Sequence, residues 1–83
     1  MTAVAYPIIH PRSGVTVQVD PEILQYWQEE GLNMQWHYSP EGPTFQGTQG
    51  RQVRVADVIL GRPAWFSDGN IFNVTKANLR PAA

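Results

Sequence analysis

The sequence predicts a small α+β protein, and three features of its 83 residues support that class. Residues 15–19 (VTVQV) alternate apolar and polar side chains, as a half-buried strand does. Residues 21–30 repeat their apolar side chains at helical spacing instead. The dipeptide Asp68-Gly69 is typical of a tight reversal. We therefore expect a small antiparallel sheet, one N-terminal helix, and a C-terminal β-hairpin with a further helix.

The helix predicted over residues 21–30 has clear start and stop signals. Asp20 is a good N-cap residue, and Pro21 suits the first helical position because its ring fixes a helical φ angle. Gly31 supplies the stop.

The middle of the chain predicts a short meander of strands. Residues 33–38 (NMQWHY) alternate, although which face is buried is not obvious from the pattern. The cluster at 39–43 (SPEGP) predicts a turn or loop. The segment that follows predicts one or two short strands broken at Gly47 and Gly50.

The last third predicts alternating short elements. Residues 55–61 (VADVILG) favour one or two helical turns ended by glycine, and 64–72 (AWFSDGNIF) favour a strand and a turn. Asn73 can cap a short helix over 74–79, which Pro81 would stop.

The size and composition restrict what the chain can be. We expect one domain over 1–83, with a strand, helix and meander part at 14–52, a second part at 53–80 and a frayed tail at 81–83. The absence of cysteine excludes disulfides and thiolate metal sites. The start lacks the features of a signal peptide and the apolar runs are short, so we expect a cytoplasmic protein without a membrane partner.

The net charge of −1 hides an asymmetry between the two halves. The first half is acidic, whereas the second carries most of the basic residues. Phosphates of a nucleic acid would therefore meet the second half. The alternative is that the two halves neutralise each other across the fold.

The segment 53–80, VRVADVILGRPAWFSDGNIFNVTKANLR, resembles the C-terminal half of HNH homing endonucleases, phage and intron enzymes built on a ββα-metal hairpin and helix. The motifs that carry the resemblance are Val-Ile-Leu-Gly at 58–61, Asp-Gly-Asn at 68–70, Asn73 and Asn-Leu-Arg at 78–80. The upstream stretches VTVQVDPEILQYW and WHY look like the family's layout more loosely.

The departures from the family's pattern bear on catalysis. In the family an Asp-His pair supplies a metal ligand and the base that activates water, and the aligned positions here are Trp65 and Phe66. Neither ring can bind a divalent cation through oxygen or accept a proton from water. Likewise, the histidine that opens the family's helix aligns with Ala56, and the second asparagine of its pair with Val74. We therefore expect no catalytic residue, no metal and no other cofactor.

Three functions remain open from the sequence. The favoured one is non-catalytic DNA binding through the basic residues Arg51, Arg54, Arg62, Lys76 and Arg80. The alternative is a phage-type inhibitor or adaptor that binds a host protein through Trp65 and Phe66, in the former active-site cleft. The third is a residual metal-dependent nuclease using Asp68, Asn70 and Asn78. No small-molecule substrate is expected, and the residues expected to be structural are Asp68, Gly69, Asn70, Asn73 and Asn78.

Overall fold

The computed structural model describes residues 2–82, which form short strands, two α-helices and one 3-10 turn. In chain order the elements are β1 (Val4–Pro7), β2 (Thr16–Val19), α1 (Pro21–Glu29), β3 (Thr44–Gln46), β4 (Gln52–Arg54), α2 (Val55–Leu60), β5 (Ala64–Phe66), the 3-10 turn (Lys76–Asn78) and β6 (Leu79–Pro81). The confirmed class is α+β.

The strands form three antiparallel pairs, β1 with β2, β3 with β4, and β5 with β6. Single bridges join two of these pairs: Ile9, just after β1, bridges to His37, and His37 bridges in turn to Thr44 of β3. On the other side of β2, Gln18 bridges to Asn73. The pairs β1–β2 and β3–β4 are thus linked through one residue rather than through a full central strand.

Aromatic rings fill the centre of the core. Trp27 of α1 is fully buried, and its ring meets Trp36 at 5.2 Å and Phe45 at 4.9 Å between centroids, both edge-on. Edge-to-face packing is favoured because the positive ring edge meets the negative ring face. This aromatic cluster joins α1 to the chain before β3 and to β3 itself.

Most elements predicted from the sequence are present. The strand expected at 15–19 is β2, the helix expected at 21–30 is α1, and the breaks at Gly47 and Gly50 form the turn between β3 and β4. Residues 33–38 differ, because within them only His37 makes β-bridges. Asp20 also differs from expectation, since it makes no side-chain cap to α1.

The helix predicted over 74–79 is wrong. Only Lys76–Asn78 makes a 3-10 turn, and Leu79 already begins β6. Two long-range hydrogen bonds hold this backbone in place: Val74 N–H donates to the carbonyl of Gln18 at 2.9 Å, and Lys76 N–H donates to Asp20 Oδ2 at 2.8 Å. Tertiary contacts override a segment whose β-branched and asparagine residues favour helix only weakly.

The predicted frayed tail lies partly outside the described residues. Pro81 pairs with Ala64, and Ala82 N–H donates to the carbonyl of Pro63 at 3.0 Å, whereas Ala83 is not described. Neither helix within residues 2–82 has the length and apolar character needed to cross a membrane.

The two most buried tryptophans allow a matched test of the core. Trp27 Nε1 donates to the carbonyl of Asn33 at 3.0 Å, whereas Trp36 Nε1 is buried without a partner in the described structure. Replacement by phenylalanine removes a similar volume at both sites, but only Trp27→Phe loses a hydrogen bond. Because an unpaired buried donor costs about 1–3 kcal/mol, Trp36→Phe should lower the free energy of unfolding by about 1–3 kcal/mol less than Trp27→Phe. Urea denaturation of both variants measures the difference, and equal losses would contradict the prediction.

Candidate functional site

An open cleft of about 320 Å³ lies beside β5 and β6. Its lining is mostly apolar and includes one residue of each charge sign. The lining residues are Pro40, Glu41, Trp65, Phe66, Gly69, Ile71 and Arg80. The cleft therefore brings together residues from the loop before β3, from β5, from the loop after β5 and from β6.

Trp65 and Phe66 lie on opposite faces of β5 because successive side chains of a strand point in opposite directions. Phe66 is 7% exposed and belongs to the core, whereas Trp65 is 54% exposed. Arg80 is the cross-strand partner of Trp65 and is exposed as well. Trp65 was predicted as part of a protein interface and Arg80 as part of a nucleic-acid interface, and the structure brings these two side chains to one place.

The backbone of the loop before β3 packs closely against the ring of Phe66, which lines the cleft. Gly42 is buried at φ 111°, and a Cβ atom there would lie 2.9 Å from Phe66 Cζ. Side-chained residues avoid this φ angle, and the ring leaves no space for one. Only glycine lets the loop approach Phe66 so closely.

The side chain of Arg54 donates hydrogen bonds to three other segments of the protein. Its Nε and Nη2 atoms donate to the carbonyl of Glu41 at 3.2 and 3.0 Å. Its Nη1 donates to Asp57 Oδ1 at 2.9 Å and to the carbonyl of Ala64 at 3.0 Å. The guanidinium carbon also lies 5.9 Å from the centroid of the Phe66 ring. A phosphate at Arg54 would compete with these four hydrogen bonds, so Arg54 is less available to an outside anion than the exposed basic residues.

The other predicted basic residues are exposed and do not converge on one cleft. Arg51 lies in the turn before β4, Arg62 follows α2, and Lys76 begins the 3-10 turn. The salt bridge present among residues 2–82 joins Arg54 to Asp57, so these three residues and Arg80 have no carboxylate at ion-pair distance in that range.

The predicted structural residues form one hydrogen-bonded loop between β5 and β6. Asn78 Nδ2 donates to Asp68 Oδ1 and to the carbonyl of Asn73, both at 2.9 Å. Asp68 Oδ1 also accepts the N–H of Asn70 at 2.8 Å, and Asn73 Oδ1 accepts the N–H of Thr75 at 3.2 Å. Gly69, at φ 76°, closes the turn by donating its N–H to the carbonyl of Phe66 at 3.0 Å.

Those hydrogen bonds also affect the ionisation of Asp68. Donation from the Asn70 backbone, and then from the Asn78 side chain, lowers the pKa of the Asp68 carboxyl below its ordinary value because both bonds favour the charged form. Its Oδ1 atom is already engaged in ordering the loop. Within residues 2–82, no group of three or more His, Cys, Asp or Glu side chains is placed to hold a metal ion.

Sequence reasoning missed the other wall of the cleft. Pro40, Glu41 and Ile71 line it, but the first two lie in a segment assigned only to a turn. The cluster Pro-Glu-Gly-Pro was the available signal, because two prolines around a glycine restrict the loop to few conformations.

Comparison of the chain with protein-family models, with curated proteins and with solved structures found no match.

The Gly42 contact predicts a large effect of a small substitution. Gly42→Ala should lower the free energy of unfolding by at least about 2 kcal/mol, because both backbone strain and overpacking against Phe66 oppose it. Gly31→Ala is the matched control, since Gly31 also has a positive φ of 68° but has no atom within 4 Å of the place where a Cβ would lie. Denaturant unfolding of both variants measures the contrast, and equal destabilisation would show that the contact with Phe66 contributes nothing.

The lowered pKa of Asp68 predicts a pH effect on stability. The unfolded chain binds a proton at Asp68 more readily than the folded chain, so stabilisation by the ionised carboxylate is complete above the unfolded pKa of about 3.9 and is lost as pH falls through the lower folded pKa. The stability advantage of the wild type over Asp68→Asn should therefore shrink below about pH 4. The urea denaturation midpoints of both proteins from pH 7 to pH 2 measure this advantage. A difference between the midpoints that does not change with pH would refute stabilisation by the ionised Asp68 carboxylate.

Proposed function

We propose that this chain is a non-catalytic, HNH-like protein that binds nucleic acid through exposed basic residues of its second half. The contacts would be made by Arg51, Arg62, Lys76 and Arg80. The sequence resemblance supports the HNH-like scaffold, and the replacement of the family's metal ligand and base by Trp65 and Phe66 supports the loss of catalysis. On the same resemblance, we propose a phage or mobile-element protein that acts in the host cytoplasm.

The observation that carries the proposal is the pairing of Arg80 with Trp65 on the exposed face of β5 and β6. An exposed guanidinium can bind a phosphate while the neighbouring indole contacts a sugar or a base. The near-neutral net charge predicts weak binding rather than tight binding to any polyanion, and the phosphate contacts would make that binding weaken as salt rises.

A second candidate function is binding to a host protein. The observation that favours it is the apolar lining of the cleft by Pro40, Phe66 and Ile71 around the exposed Trp65. Tryptophan and arginine are common anchors of protein interfaces. Such a complex would persist at high salt and would depend on Trp65 more than on the scattered basic residues.

The salt dependence of binding tests the favoured function. We expect fluorescence anisotropy with labelled oligonucleotides to show binding that weakens as salt rises. Arg80→Gln should flatten the slope of log K against log salt by about 0.9 for a duplex, or about 0.7 for a single strand, because one phosphate contact is lost.

Gln28→Glu on α1 is the matched control for that experiment. Gln28 is exposed, and its replacement changes the net charge by the same amount as Arg80→Gln. Equal effects of the two variants would mean that only overall charge matters and would contradict a contact at Arg80. Absence of binding to both duplex and single strand at low salt would exclude the favoured function.

A further inference from the structure

The loop between β5 and the 3-10 turn separates two clefts. Gly69 and Ile71 line the cleft beside Trp65, whereas the alternate residues Asn70 and Phe72 line a second cleft of about 470 Å³. The remaining lining residues of the second cleft are His10, Arg12, Val15 and Thr16. One short loop therefore contributes to two neighbouring concave surfaces.

Aromatic rings continue from this loop onto the adjacent surface. The rings of Phe72 and Tyr38 are nearly parallel, with 15° between their planes and 6.2 Å between centroids. The His10 ring lies 4.4 Å from Tyr38 and 6.4 Å from Phe72. Tyr38 is 38% exposed, and His10 and Phe72 are half-buried. Trp65 in the first cleft and the group of Phe72, Tyr38 and His10 across the loop are together called the aromatic surface.

One exposed arginine borders each cleft of the aromatic surface, and the carboxylate of Asp68 directly precedes Gly69 of the first lining. Arg80 borders the first cleft and Arg12 borders the second, and both are exposed. The second cleft has no acidic residue in its lining, and the first has only Glu41. A ligand that carries both planar rings and negative charges could contact these aromatic and cationic side chains.

We propose that the aromatic surface binds single-stranded nucleic acid, with bases stacked on Trp65 and on the rings around Phe72 while Arg80 and Arg12 contact the phosphates. Bases of a duplex are stacked on one another and cannot offer their faces to these rings. Unpaired bases can stack on aromatic side chains, and this contact tolerates any base because every base has a π-face. The inference rests on the proposed nucleic-acid binding and specifies the form of the ligand.

The test compares a labelled mixed-sequence single strand with its duplex by fluorescence anisotropy. We expect tighter binding of the single strand. Trp65→Ala and Tyr38→Ala should each weaken it by about 5- to 150-fold, the range that loss of one stacked base implies. Tyr26→Ala is the matched control, since Tyr26 is 48% exposed on α1 and is not part of the aromatic surface.

Two further readouts address stacking and charge directly. Trp27 and Trp36 are buried, so quenching of tryptophan fluorescence by the single strand should be lost in Trp65→Phe. Glu41→Gln should strengthen binding several-fold because it removes a negative charge from the cleft. Glu41→Gln leaves the hydrogen bonds from Arg54 intact, because Arg54 donates to the backbone carbonyl of Glu41.

The outcomes separate this inference from the proposed function. Preference for the single strand that is lost in Trp65→Ala and Tyr38→Ala but kept in Tyr26→Ala supports the inference. Equal or tighter binding of the duplex, without an effect of Trp65→Ala or Tyr38→Ala, overturns the inference and leaves the proposed function standing. Failure to bind either form overturns both, and a salt-resistant protein complex that needs Trp65 would replace them with the second candidate function.

Discussion

The hydrogen bonds of the Arg54 guanidinium hold together the segments around the cleft. It holds the carbonyl of Glu41 in the loop before β3, the carboxylate of Asp57 in α2, and the carbonyl of Ala64 in β5. Asp57 in turn accepts the N–H of Ala64 at 3.0 Å. Because arginine offers donors in a fixed planar fork, one side chain fixes three segments relative to one another, which a lysine could not do.

The position of Phe66 follows from this arrangement. Once the loop around Glu41 is tied to Arg54, Gly42 comes against the Phe66 ring and closes the core on that side. The chain just after β5 is held by Asn78. The backbone carbonyl of Asn78 accepts the N–H of Ser67 at 2.8 Å, and its side chain donates a hydrogen bond to Asp68. The cleft is therefore bordered by two hydrogen-bonded loops, and its shape does not rest on hydrophobic packing alone.

The sequence predicted local features well and long-range contacts poorly. Patterns over a few residues were sufficient for α1, for the β3–β4 hairpin and for α2 with its stop at Gly61. The backbone after Asn73 could not be predicted this way, because its conformation depends on hydrogen bonds to Gln18 and Asp20, which lie far earlier in the chain. The hydrogen-bond partners of Arg54 could not be predicted for the same reason, because the tertiary fold sets them. The packing of the Tyr38 ring on the Phe72 ring is a further contact of this kind.

The exposure of Trp65 is the feature that folding explains least. The hydrogen bonds from Ser67 to Asn78 and from Ala82 to Pro63 set the register of β5 against β6, and a strand in that register can bury Phe66 or Trp65 but not both. Burial of Phe66 therefore determines that residue 65 faces solvent. The same pairing places the Trp65 indole beside Arg80 on the exposed face of β5 and β6.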